Sequence, residues 1–154
     1  NAGRFILLEL PPMFIVPGIV RIIRQLLDRG VTPVIAHAER NAMILHHPAT
    51  VSDLIDAGAV LQVTAGSLTG DFGRDVLKTA RQMVETGQVF CLGSDIHPDR
   101  KYRMKAAAKT LEKWIGTKKA DALIRENPEQ IEKWHETPPG PVQQTCYFHA
   151  GMIF

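Results

Sequence analysis

At 154 residues the chain has the length of one domain, long enough to bury a substantial core. A content of 45% hydrophobic and 22% charged residues excludes disorder over the whole chain. The net charge of +2, with no long Lys/Arg run, argues against a nucleic-acid partner.

In chain order, residues 4–10 are apolar and end at Pro11-Pro12, which bars further sheet pairing, so a first strand is predicted there. Residues 17–29 predict a helix: Pro17 suits its first turn, Ile19, Ile22, Ile23, Leu26 and Leu27 share one face, and Gly30 stops it. A buried strand follows at 31–36, then a loop with His37 and Arg40, and a helix at 48–57 before Gly58. The third strand, 60–64, ends in the small-residue turn Thr64-Ala65-Gly66-Ser67. A helix over 71–86, closed by Gly87, leads to the fourth strand at 89–93. Strand starts near 4, 31, 60 and 89 repeat at the size of a βα unit. Near-continuous apolar strands alternating with amphipathic helices predict an α/β fold with a parallel sheet.

Beyond residue 100 only helices are expected, at 104–115, 117–125 (with Thr117 as N-cap) and 128–136. The domain is drawn over 1–136, and 137–154, with Pro138, Pro139, Gly140 and Pro141, is an irregular tail. The longest apolar runs, 5–8 and 31–36, are strand-sized, so no membrane span is expected. The N-terminus lacks a signal-peptide plan, and two cysteines make no disulfide framework. A cytoplasmic protein is the expectation. A cysteine phosphatase is excluded: six residues after Cys91 stands His97, and six after Cys146 stands Met152, where that chemistry needs Arg.

Parallel strands deliver their last residues to one edge of the sheet. Glu9, His37 and the pair Asp95/His97 stand at three such ends, and two carboxylates with two imidazoles suit a divalent metal. Glu9, among Phe5, Ile6, Leu7, Leu8 and Leu10, is costly to bury without a positive partner such as a metal or Arg40. Arg40 reads either as a surface partner of Glu39 or as a planar fork for phosphate. Asp95 and His97 can both face one point if the chain stays extended there. Thr64, Gly66 and Ser67 could admit a phosphate or simply make a tight turn; His46 and His47 read as helix-end residues.

Glu9-Leu10-Pro11, the run 35–40, Val63-Thr64-Ala65-Gly66-Ser67-Leu68, Ser94-Asp95-Ile96-His97 and Glu126-Asn127-Pro128-Glu129 stand in an order and spacing that resemble the PHP (polymerase and histidinol phosphatase) superfamily. Within it, the match is to the C-terminal part of the bacterial manganese-dependent protein-tyrosine phosphatases of capsule and exopolysaccharide systems. The similarity runs from Arg4 to Trp134, with Ala38 where the family has Pro. The resemblance implies a TIM-like, distorted barrel of seven strands, of which this chain would supply a partial set with C-terminal helices. It also implies a divalent metal, Mn²⁺, with Glu9, His37, Asp95 and His97 as ligands and Arg40 and Asp95 as catalytic residues. Substrate would be held by Arg40, Ser67 and a second arginine, Arg100 or Arg103. The implied partner is a phosphotyrosine protein, the tyrosine kinase of polysaccharide export.

The family's first half, with its H-x-H motif, has no counterpart here, so a weak or inactive phosphatase is the expectation for the chain alone. Two alternatives stand beside it. One is a non-catalytic truncated barrel that binds metal weakly or not at all. The other is a PHP phosphoesterase acting on histidinol phosphate or a nucleotide. Open sheet edges predict a homodimer or larger oligomer.

Overall fold

The computed structural model describes residues 4–98 and 100–132. Four parallel strands, β1 (Arg4–Glu9), β2 (Val31–Ala36), β3 (Val60–Thr64) and β4 (Cys91–Gly93), form one sheet in the order β1-β2-β3-β4. Helix α1 (Ile19–Asp28) joins the first two strands, α2 (Ala42–His46) and α3 (Thr50–Asp56) the next two, and α4 (Ala65–Leu68) and α5 (Arg74–Glu85) the last two. Helices α6 (Met104–Ile115), α7 (Thr117–Asp121) and α8 (Asn127–Glu132) follow, the last two linked by a π-helical turn, Ala122–Glu126. This is the α/β arrangement that the strand and helix periods predict. Strand order follows chain order, the winding that carries a parallel sheet into a barrel arc.

Several boundaries differ for local reasons. The helix expected at 48–57 is α3, Thr50–Asp56, and the loop expected before it contains a further short helix, α2, which ends at His46 because Pro48 disfavours helical backbone in the residue before it. Gly73, at φ 92°, delays α5 to Arg74. Gly116, at φ 79°, takes the cap position expected of Thr117, which is the first helical residue of α7. The turn expected at residues 64–67 is the start of helix α4. The tail at 137–154, with Cys146, lies outside the described residues.

The core forms between the sheet and its helices. Ile23 of α1, Ile35 of β2, Ile44 of α2, Leu54 of α3, Leu61 of β3 and Leu111 of α6 are all fully buried. At about 25 cal/mol per Å², such side chains each contribute roughly 2 kcal/mol. Strand β1 differs: Phe5, Ile6, Leu7 and Leu8 are only half-buried, and among the described residues the strand pairs with β2 alone. The Asn127 side chain, at the start of α8, donates to the carbonyl of Phe90, the residue before β4, at 2.7 Å and so ties α8 to the entry of that strand.

Candidate functional site

The register brings chemistry to one edge, with Glu9 opposite Ala36 and Thr64 opposite Gly93. His37 follows β2 directly and Asp95 lies two residues past β4. These two, at φ 38° and 45°, are the only non-glycine residues in the left-handed region among those described. Each conformation costs on the order of 1 kcal/mol for an L-residue and is typical of functional sites. At His37 it reverses the chain out of the strand into the 3₁₀ turn Ala38–Arg40, closed by the Arg40 N–H donating to the His37 carbonyl at 3.0 Å.

Arg40 is thereby aimed across two strands at Asp95. Its Nη1 donates to Asp95 Oδ2 at 2.6 Å, and Arg100 Nη1 donates to the same oxygen. His97 Nε2 lies 3.3 Å from Asp95 Oδ1. The D-x-H segment is therefore not extended as expected; Asp95 is left-handed, yet its carboxylate still meets the imidazole. Beside the clamp lies a cavity of about 250 Å³, walled by Thr64, Gly66, Phe72, Ser94, Asp95 and Arg100 among others.

Three expectations change. Glu9 is not buried; its side chain is 62% exposed and its Oε1 lies 3.6 Å from His37 Nε2. Ser67 does not face the cavity edge as an open hydroxyl; it is fully buried and donates to Glu39 Oε1 at 2.6 Å. Arg103 turns away from Asp95 and binds Asp71 at 2.7 Å, leaving Arg100 as the second arginine at the site. The Arg103 guanidinium holds the Asp71 carboxyl below the usual carboxylate range.

The residue that sequence reasoning misjudged most is Glu39. It is not a surface partner of Arg40 but is completely buried. Oε1 accepts from the Thr64 N–H at 2.9 Å and from Ser67, and Oε2 has no hydrogen-bond partner among the described residues. Burial pushes the Glu39 carboxyl above its ordinary range, against the lowering effect of Ser67 and the Thr64 N–H. Glu39 thus ties the turn that aims Arg40 to the start of α4. Asn41 was also missed. Its Oδ1 accepts from the Ile44 N–H, and its Nδ2 donates to the carbonyls of Pro11 (2.8 Å) and Phe14 (3.1 Å), binding the loop after β1 to the same turn. An Asn ahead of a helical stretch is a readable capping signal. His46 and His47 are exposed at the end of α2.

The donor types fit a divalent cation, with two carboxylates and two imidazoles gathered in pairs at one sheet edge. The pairs do not merge. Among the described residues no group of three or more His, Cys, Asp and Glu side chains converges, and Asp95 gives Oδ2 to two arginines.

Residues 1–133 match the sequence profile described as capsular polysaccharide synthesis, CpsB/CapC. The chain is 31% identical over 153 residues to tyrosine-protein phosphatase YwqE of Bacillus subtilis strain 168, covering 96% of this chain and 60% of that protein. It is 32% identical over 114 residues to tyrosine-protein phosphatase CpsB of Streptococcus pneumoniae, covering 70% and 47%. A solved structure from work on these two proteins, described there as unique metal-dependent tyrosine phosphatases, superposes with a TM-score of 0.80 at 32% identity. That match covers 91% of this chain and 58% of the other. The chain therefore spans less than two thirds of the length of the relatives it matches.

Proposed function

The chain belongs to the CpsB/CapC family of capsular polysaccharide synthesis, and from that premise we propose that it carries the phosphate-holding part of a metal-dependent protein-tyrosine phosphatase. One observation carries the reading: the guanidinium groups of Arg40 and Arg100 meet on a single anionic oxygen beside an open cavity. Two arginine forks around one anion are what a phosphate monoester requires, and a phosphoryl group would take the place of the Asp95 carboxylate between them. In hydrolysis the P–O bond to the phenol breaks and a water oxygen replaces it. Arg40 and Arg100 offset the charge on the phosphoryl oxygens throughout. Glu9, His37, Asp95 and His97 would hold divalent metal, with Mn²⁺ suited to mixed oxygen and imidazole donors; bound there, it would supply Lewis-acid activation.

The substrate class is phosphotyrosine protein, and the tyrosine kinase of a polysaccharide export system is the partner this reading favours. Because the donors stand in two separate pairs, turnover by this chain alone should be slow. The test is hydrolysis of a phosphotyrosine peptide with added Mn²⁺, with and without chelator. Slow, chelator-sensitive turnover that is lost in Arg40→Ala supports the proposal. Turnover that ignores chelator, or that survives Arg40→Ala, overturns it. A second reading, phosphate binding without hydrolysis, is favoured by the arginine capture of Asp95. Phosphate affinity with no turnover would identify it.

A further inference from the structure

The two arginines converge although their charges repel, and Asp95 is not their only counterweight. The ring of Phe72 lies beneath both, with Arg40 Cζ 4.3 Å from its centroid and Arg100 Cζ 5.4 Å away. An aromatic face carries negative quadrupole density and attracts guanidinium groups at such distances. Phe72 is held there by backbone. It sits between Gly70 (φ 83°) and Gly73 (φ 92°), whose left-handed conformations shape the loop before α5. The neighbouring Asp71 donates its N–H to the Gly66 carbonyl at 2.9 Å, and its carboxylate is tied to Arg103. The ring edge fills the space of an absent side chain: a Cβ on Gly66 would stand 2.8 Å from Phe72 Cε2.

We infer that Phe72 is a positioning residue for phosphate recognition, a π platform that keeps the Arg40 and Arg100 guanidinium groups together when an incoming phosphate displaces Asp95, with Gly66 setting where the ring lies. The inference rests on the phosphate reading above. Asp95 is lost as a partner once the anion arrives, whereas the ring face is not, so the platform acts in the bound state. Leu in place of Phe72 fills similar volume without a π face; Tyr keeps the face. A residue that merely packs would accept Leu at least as well as Tyr.

The experiment titrates inorganic phosphate into the full chain with chelator present, following the Arg Nε–Hε resonances by NMR, with thermal melts as a check on folding. Phe72→Leu should weaken phosphate binding about tenfold, because without the ring nothing but the incoming anion holds the two guanidinium groups together once Asp95 is displaced, and Phe72→Tyr should stay within about twofold of wild type. Gly66→Ala keeps its helical backbone but drives the ring aside, and should weaken binding in the same direction as Phe72→Leu, giving a second route if that variant folds poorly. Wild-type affinity in Phe72→Leu, or equal losses in the Leu and Tyr variants, overturns the platform and leaves the phosphate reading standing. No phosphate binding by the wild-type chain overturns both.

Discussion

Replacing Glu39 tests whether the arginine clamp is built from beneath. In Glu39→Ala two buried donors, the Thr64 N–H and the Ser67 hydroxyl, lose their shared acceptor. Each orphaned buried donor costs roughly 1–3 kcal/mol, and the cavity left by the side chain adds to this. Relief of the unpaired Oε2 subtracts from it. The net expectation is a loss of about 3 kcal/mol, a large share of the stability of a domain this size. Glu39→Gln retains the accepting oxygen and removes an ionisation that burial already disfavours, but it seats an NH2 group where Oε2 has no partner, so it should cost about 1–2 kcal/mol, less than Ala. Urea unfolding gives both values, and removing the stranded hydroxyl in Glu39→Ala/Ser67→Ala should recover about 1 kcal/mol as a non-additive coupling. If Gln costs as much as Ala, or if Ala falls within the half-kilocalorie typical of a surface change, the buried-acceptor account is wrong.

Two further expectations concern the rest of the sheet. Burial pushes the Cys91 thiol up to about 12, so in native protein Cys91, followed apart from Cys146 by peptide mapping, should resist alkylation near neutral pH and react only on unfolding. The sign for stability follows. The fold favours the protonated thiol, whose contribution is intact below the unfolded thiol pKa and is lost as pH rises through about 12. Between about pH 9 and about pH 11 urea midpoints should therefore fall, and Cys91→Ala should flatten that fall; an identical slope in both proteins would refute it. Among the described residues strand β1 pairs on one side only and leaves Phe5, Ile6, Leu7 and Leu8 half-buried, so this 154-residue chain studied by itself should cover that edge with a second copy and bury on the order of 2,000 Å². A clean monomer in sedimentation at tens of micromolar, on the order of the concentrations where obligate dimers hold, would reject this.

What the sequence disclosed and what it concealed divide along a physical line. Strand and helix periods are local, so the strands at 31–36 and 60–64 match to the residue, and those at 4–10 and 89–93 differ only at one end. The end-of-strand positions of His37 and Asp95 follow from those periods. Charge partners are different, because each one is supplied by another βα unit. Arg40 meets an aspartate 55 positions away, and Glu39 meets donors 25 and 28 positions away. No local rule distinguishes Glu39 from a surface acid beside Arg40, since the two are adjacent in sequence and only the turn after His37 separates their directions. Glu9 is the converse: its apolar neighbours suggest burial, but it is the last residue of an edge strand whose interior is itself only half-buried, and its carboxylate stands exposed.

That separation of Glu39 from Arg40 accounts for the backbone strain at this edge. A residue continuing β2 in extended form past Ala36 would send successive side chains to opposite faces of the sheet. The left-handed turn at His37 breaks the alternation and starts a 3₁₀ turn. Within it Glu39 reaches inward to the first turn of α4, while Arg40 reaches along the edge to Asp95. Asp95 makes its own left-handed turn at the far end of the same edge. The inward acid then anchors the outward base: fixing Glu39 to Thr64 and Ser67 fixes the turn's orientation, and with it the point at which the guanidinium arrives. On this argument the unfavourable φ of His37 is offset by two buried hydrogen bonds that no extended continuation could make, and the strain and the buried acid are two parts of one device for aiming Arg40.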